Sequence, residues 1–273
     1  MDKLWQTLQN WRNTLDFQLR KWVRWRRNGL IFENQIKDDL FDFHSGVKKQ
    51  QAEQTAERLL NQYHLELFSA CSTRINFREN LFYLSMLENA FDIAGINLPA
   101  TLNVADIGPS HWFYVQALYA GLTWYGINTP RQVNLTGYEV DPYRVFSSFY
   151  SCWDYARAHL RDLQVTYQKE AFKTVPHHFD LICMFFPFVF VKDHLAWGLP
   201  KGQFDPLNLR ESVRESLAPK GVVLVVNQGL DEHLAEKENF NKLGMKIIAD
   251  FEQDDLLYQY DLKRFVLVAK NEE

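Results

Sequence analysis

The sequence predicts an α/β protein. A mostly parallel seven-stranded sheet with an antiparallel last strand is expected behind an N-terminal helical region. Three observations predict it. Apolar residues recur at spacings of three and four up to about residue 95. From residue 100 short apolar runs alternate with helical stretches, the pattern of βαβ units. The last two apolar runs are separated only by a short stretch around "QDDLLYQY", too short for a helical crossover, so they are expected to pair antiparallel.

The elements follow in order. Leu4, Leu8, Trp11, Leu15, Leu19 and Trp22 mark one face of a first helix. Ala52, Ala56, Leu59, Tyr63 and Leu67 make a second stripe; Leu81, Leu84, Leu87 and Phe91 make a third, ended by Gly95 and then Pro99. No Gly-rich or Ser-rich linker follows. Residues 1–96 are therefore expected to pack as a helical region on a core domain of residues 97–273. Strands are expected near 102–107, 134–140, 163–168, 180–185, 221–227, 245–250 and 262–269, and helices near 111–121, 142–160, 208–217 and 231–243. In "APKGVVLVV" (218–226) a Pro and a Gly precede a β-branched run, so a turn feeds a buried strand.

Composition bounds the function. Of 273 residues, 47% are apolar and 23% charged, an ordinary globular balance, and aromatics reach 15%. The net charge of −4 argues against a surface that is a nucleic-acid platform throughout. Cys71, Cys152 and Cys183 are widely spaced and form no metal motif, which points to a reduced, cytoplasmic protein. The N-terminus shows no apolar signal core, and the most apolar run, "LICMFFPFVFV" (181–191), is short for a membrane span and contains Pro187. One basic segment stands out, "RKWVRWRR" (Arg20–Arg27). Its cations and tryptophans suit a nucleic acid or a membrane surface, or a plain helix with Trp22 in the core and the cations in solvent or paired with the acidic "KDDLFD" that follows.

The stretch "NVADIGPSHWF" (103–113) begins as a buried strand with one carboxylate, Asp106, and breaks at Gly108-Pro109. Ligands of open α/β sheets bind at the carboxyl ends of strands, where strand order reverses. Gly108 allows close backbone approach, and Ser110 suits the N-cap of a helix starting at His111. A strand–turn–helix connection with a capping serine explains the same residues. About thirty residues on, "NLTGYEVDPYRV" (134–145) is a strand ending in Glu139, followed by Asp-Pro. A carboxylate there accepts bonds from a ribose diol; a solvent-facing strand-end Glu is the alternative.

Together these pieces resemble the class I, Rossmann-like, S-adenosylmethionine-dependent methyltransferases. "VADIGPS" is similar to the family's first motif, and "GYEVDPYRV" to its second strand. "YQKEAF" (167–172) resembles the adenine-side loop, "FDLICMFFPF" (179–188) the fourth strand and its motif, and "SLAPKGVVLVV" the fifth strand. The resemblance implies S-adenosylmethionine as cofactor, held by Asp106, Gly108, Ser110, Glu139 and Glu170, and an enzyme that methylates a small-molecule or RNA-type acceptor. Ser110 and Trp112 stand where the family has two further glycines, and Pro109 removes an N–H donor. Phe186 and Pro187 fall at the acceptor wall. The segment 190–204, with Trp197 and several turn residues, resists a regular helix and is expected as a lid or wall over the site. His111 and His194 are the candidate bases for an acceptor that must lose a proton. No metal is expected. Two rivals stand beside this expectation: a catalytically silent relative that binds without turnover, and a nicotinamide-dependent oxidoreductase on a related sheet.

Overall fold

The computed structural model describes residues 2–271. Its helices and strands run α1 (Asp2–Val23), α2 (Gly46–Gln62), α3 (Glu66–Cys71), α4 (Arg74–Ala94), β1 (Thr101–Ile107), α5 (Val115–Trp124), β2 (Gln132–Tyr138), β3 (Val145–Ser147), β4 (Tyr150–Ser151), α6 (Cys152–Leu160), β5 (Thr166–Gln168), β6 (Phe179–Phe185), α7 (Val191–Ala196), α8 (Pro206–Ser216), β7 (Leu217–Gln228), α9 (Gly229–Lys242), β8 (Met245–Glu252) and β9 (Arg264–Asn271).

The seven-stranded sheet has the order β5-β2-β1-β6-β7-β9-β8. Every pairing from β5 to β7 is parallel, and β9 inserts antiparallel between β7 and β8. This is the Rossmann-like arrangement with an antiparallel last strand that the sequence predicts. Chain order reverses between β1 and β6, so the crevice at their carboxyl ends is the place where such sheets take ligands.

The central strands are apolar on both faces because helices cover both. Leu102, Val104, Leu135, Leu181, Cys183 and Leu224 face one layer with α4 and α5; Ala105, Ile182, Met184, Val223 and Val225 face the other with Val213 of α8 and Phe240 of α9. Between α8 and α9 the buried Arg210 guanidinium donates to the Glu236 carboxylate, so neither charge is left alone in the core. The N-terminal helix α4 belongs to the same hydrophobic cluster as β1 and β2, with Leu81, Leu84, Leu87 and Phe91 inward as their spacing predicts.

Four expectations are corrected. The stripe of α1 does not face the core: Leu4, Leu8, Trp11, Leu15, Leu19 and Trp22 are exposed, and the helix docks through Asn13, Phe17 and Arg20 instead. Residues 142–160 are not one helix. A short hairpin of β3 and β4 precedes α6, with Ser148 and Phe149 at φ 50° and 61° in its two-residue turn. Ser110 is not an N-cap, because α5 starts only at Val115, after a run of tight turns. The segment 190–204 does hold a regular helix, α7, and the carbonyls of Leu195 within it and of Leu199 beyond it accept from Asn13 of α1 at 2.8 and 3.0 Å.

Candidate functional site

The site is built where β1 and β2 end. The residues from Gly108 to Tyr114 form a loop bound to the second strand. The Gly108 N–H donates to the Tyr138 carbonyl at 2.9 Å, and the Ser110 N–H donates to Glu139 Oε2 at 2.8 Å. Glu139 Oε1 accepts from the Asp141 N–H at 2.8 Å. From β5 the Tyr167 hydroxyl donates to the Ser110 carbonyl at 2.7 Å. Glu139 is thus the clasp of the loop. Burial pushes its carboxyl up to about 6, against the pull of the two backbone N–H groups.

Three positions in this loop have the left-handed backbone that glycine adopts freely: Gly108 at φ 74°, Ser110 at 53° and Trp112 at 50°. Only the first is a glycine. Such a φ costs a residue with a side chain roughly 1 kcal/mol or more. Trp112 recovers that cost through its side chain. The indole is fully buried, lies against Gly137 of β2, and donates from Nε1 to Asp106 Oδ2 at 2.6 Å. The Tyr114 hydroxyl donates to the same oxygen at 2.9 Å. Asp106 Oδ1 is buried without a protein partner. Burial drives the Asp106 carboxyl up to about 7, more than the two donors hold it down.

Helix α4 fixes the far end of the loop. Asn76 and Asn80 donate to the Phe113 carbonyl at 2.9 and 2.8 Å, and Asn80 Oδ1 accepts from the Ala117 N–H at 2.9 Å. Asn80 therefore caps α5 from another helix, satisfying an N–H that no local side chain reaches. Sequence reading missed both asparagines, because their signal is only two polar residues four apart on an otherwise apolar helix face.

The other expected residues fall in three groups. Phe186 follows β6 at φ 58° with its N–H on the Val226 carbonyl at 2.7 Å; Pro187 is half-buried beside it. Around Phe186 stands an aromatic group that sequence reading did not assemble: Tyr83, Phe185 and Tyr260, with the Arg264 guanidinium over the Tyr260 and Phe186 rings at 3.9 and 4.9 Å. His111 stacks on Phe146 at 4.0 Å, and its Nδ1 is buried without a partner. Burial pulls its pKa down to about 4, so it is neutral at pH 7 and a weak base. His194 is buried in α7, with Nε2 3.0 Å from the Pro200 carbonyl, and burial lowers its pKa too. Trp197 lies under the Arg144 guanidinium at 4.4 Å, and Glu170 is exposed and paired with Lys173. The structure brings Asp106, Gly108, Ser110 and Glu139 together and leaves Glu170 and His194 outside that group.

Beside Glu139 a cleft of about 320 Å³ opens between α1 and the ends of β2 and β5, lined by Lys21, Arg24, Val140, Pro142, Tyr143 and Lys169. Among the described residues no group of three His, Cys, Asp or Glu side chains is placed to hold a metal ion.

No protein-family model matches the chain, and no curated protein matches it. Solved structures do. Many of those that match are S-adenosylmethionine-dependent methyltransferases. One, from Aquifex aeolicus, is 16% identical, with 70% of this chain and 91% of that chain covered and a TM-score of 0.48. Another, from Leishmania major, is 14% identical, with 89% and 97% covered and a TM-score of 0.47. A third, from Mesorhizobium loti, is 14% identical, with 67% and 96% covered and a TM-score of 0.43.

Proposed function

We propose that this protein binds S-adenosylmethionine at the carboxyl ends of β1 and β2 and transfers its methyl group to a small-molecule or RNA-type acceptor. The observation that carries the reading is the loop itself. Its backbone stays left-handed at 108, 110 and 112 although two of the three residues are not glycine, and strain of that kind persists where a site needs a particular main-chain path.

The residues fit such a ligand at two points. Asp106 Oδ1 is a buried acceptor with no protein donor, suited to an ammonium or a bound water. Glu139 uses one direction of each oxygen on the loop and keeps the others for hydroxyl donors. The bound cofactor would supply a methyl group already activated on a sulfonium. The chain's own part is then positioning and exclusion of water. Glu139 orients a diol and holds the loop. Asp106, fixed by Trp112 and Tyr114, presents one oxygen in a set direction. Phe186, Pro187 and the neighbouring Tyr260 and Arg264 form an apolar, cation-edged wall on the acceptor side. His111, neutral at pH 7, can take a proton only from an acceptor of matching acidity.

A second reading is favoured by one observation. Trp112 and Tyr114 already donate to Asp106, so the protein supplies from within what a ligand would supply in an active relative. On that reading the protein is a silent relative. A thermal-shift panel with S-adenosylmethionine, S-adenosylhomocysteine and NAD separates them. The methyltransferase reading expects the first two to raise Tm and NAD to leave it unchanged. No shift with any of the three supports the silent relative, and a shift with NAD alone supports an oxidoreductase.

A further inference from the structure

Helix α1 turns its most apolar face to solvent. Leu4, Leu8, Trp11, Leu15, Leu19 and Trp22 share one side, and Trp5 and Val23 widen the arc to about 120° at 3.6 residues per turn. Every one of these side chains is exposed, from 49% for Val23 and 52% for Leu15 to 70% for Leu4 and 82% for Trp22. The opposite side is fastened. Asn13 donates to the Leu195 and Leu199 carbonyls, and Arg20 donates from two nitrogens to both oxygens of Asp141 at 3.0 and 2.7 Å. The stripe cannot roll inward without breaking those bonds. An unpartnered apolar surface of this size marks an interaction site.

The charge around the stripe says what covers it. Arg12 lies within the apolar arc, toward one edge, and Lys21, Arg24, Arg26 and Arg27 follow its end, all exposed. None of these five side chains has a carboxylate partner among the described residues. Lys21 and Arg24 share their cleft with Lys169, and no acidic residue lines it. The protein as a whole is acidic, at −4, so this cationic end is local. Trp25 continues the segment and donates from Nε1 to the carbonyl of Phe149, which is itself exposed at the hairpin tip.

We propose that α1 lies in the surface of an anionic lipid bilayer, with its Leu and Trp face in the headgroup boundary and the Lys21–Arg27 cluster on lipid phosphates. Leucine and tryptophan on one face with cations beside them is the composition of an interfacial helix. A second copy of the chain fits less well. Leu4 to Trp11, Leu8 to Leu15 and Leu15 to Trp22 are each seven residues apart, as in a two-helix seam, but Gln18 interrupts that repeat and Trp5, Leu19 and Val23 lie outside it. The arc is also wider than such a seam. Among its described side chains α1 offers only Asp16 as an acid to meet a partner's cations. Among the described residues no helix is long and apolar enough to cross a membrane, so α1 would lie on the surface.

Flotation of the full-length protein with vesicles tests this, using phosphatidylcholine alone and phosphatidylcholine mixed with phosphatidylglycerol, with tryptophan fluorescence as a second readout. The expected result is binding to the anionic vesicles with a blue shift, weakened several-fold by 0.5 M salt. Trp11→Asp should lower binding at least tenfold without moving Tm, since the side chain is in solvent. Should its Tm fall, Leu15→Ser on the same face is the replacement. Lys21→Glu with Arg24→Glu should lower binding to anionic vesicles. Failure of the parent to float with anionic vesicles at low salt overturns the proposal. So does equal binding by the parent and both apolar-face variants. A dimer in sedimentation that Trp11→Asp dissolves, with no vesicle binding, assigns the face to a second copy.

Discussion

Trp112 and Asp106 act as one unit: the indole Nε1 donates to the carboxylate Oδ2 at 2.6 Å, and both side chains are fully buried. The indole occupies the gap between the loop and β2 that a glycine at this position would leave open. A carboxylate, its donor and a strained backbone therefore depend on one another, and most of what can be tested follows from that.

Trp112 and Gly137 fit tightly together. A Cβ on Gly137 would stand 2.7 Å from the indole ring, inside any real contact. Gly137→Ala should cost about 1–3 kcal/mol in chemical denaturation. Combined with Trp112→Phe, which shortens the ring system, the cost should be less than the sum of the two single changes by at least 0.5 kcal/mol, about the smallest coupling expected of touching residues. Additive costs would mean that the indole does not rest on Gly137.

The pH dependence has a definite sign. Asp106 in the folded protein titrates at about 7, above its ordinary value, so the native state binds the extra proton. The stability this contributes is fully present below the unfolded carboxyl pKa and is lost as pH rises through 7. Glu139, at about 6, acts in the same direction. His111, pulled down to about 4, acts in the opposite one: its share is present above the unfolded imidazole pKa and lost as pH falls toward 4. Comparing parent with Asp106→Asn isolates one group. The variant's stability relative to the parent should rise between pH 5 and 7, by at most about 1.4 kcal/mol per pH unit. A flat difference across that window would show that Asp106 titrates at its ordinary value.

Glu139 holds the loop through two backbone N–H groups. Glu139→Ala leaves both donors to find water and should destabilise the protein by about 1.5–3 kcal/mol. Gln retains an acceptor and should recover part of that. Amide exchange at Ser110 is the direct readout, faster in the Ala variant than in the Gln variant. Equal exchange in all three proteins would free the loop from Glu139.

Segment 190–204 is tied to α1 by Asn13 and by Asn10, whose Oδ1 accepts from the Lys201 N–H at 2.6 Å. Hydrogen exchange in the free protein should find the segment protected, and Asn13→Ala should raise exchange in α1 and the segment together. Fast exchange in the unaltered protein would restore the segment as a mobile lid.

The sheet was legible because its strands are short apolar runs between turn residues, and each strand sits within a few residues of its expected place. The hairpin of β3 and β4 was not. Its turn is Ser148-Phe149, with neither Asn nor Gly at positions of positive φ, and "YRVFSSFYS" carries no hairpin signal. The helix of α1 was legible in its period, but its direction was not, since an apolar stripe ordinarily faces the core. Asp106 and Glu139 were legible as strand-end carboxylates. Their partners were not, because Trp112 and Tyr114 reach Asp106, and the Ser110 N–H reaches Glu139, through backbone turns that no spacing announces.

Calorimetric titration with S-adenosylhomocysteine tests the central claim most directly, using the parent protein and Glu139→Gln. One site is expected in the parent, with an affinity roughly tenfold or more weaker in the variant, since a charge-assisted pair of hydrogen bonds to a diol is worth about 1.5–3 kcal/mol. Absence of heat in a folded parent would contradict it and leave a silent relative whose Trp112 keeps the site closed.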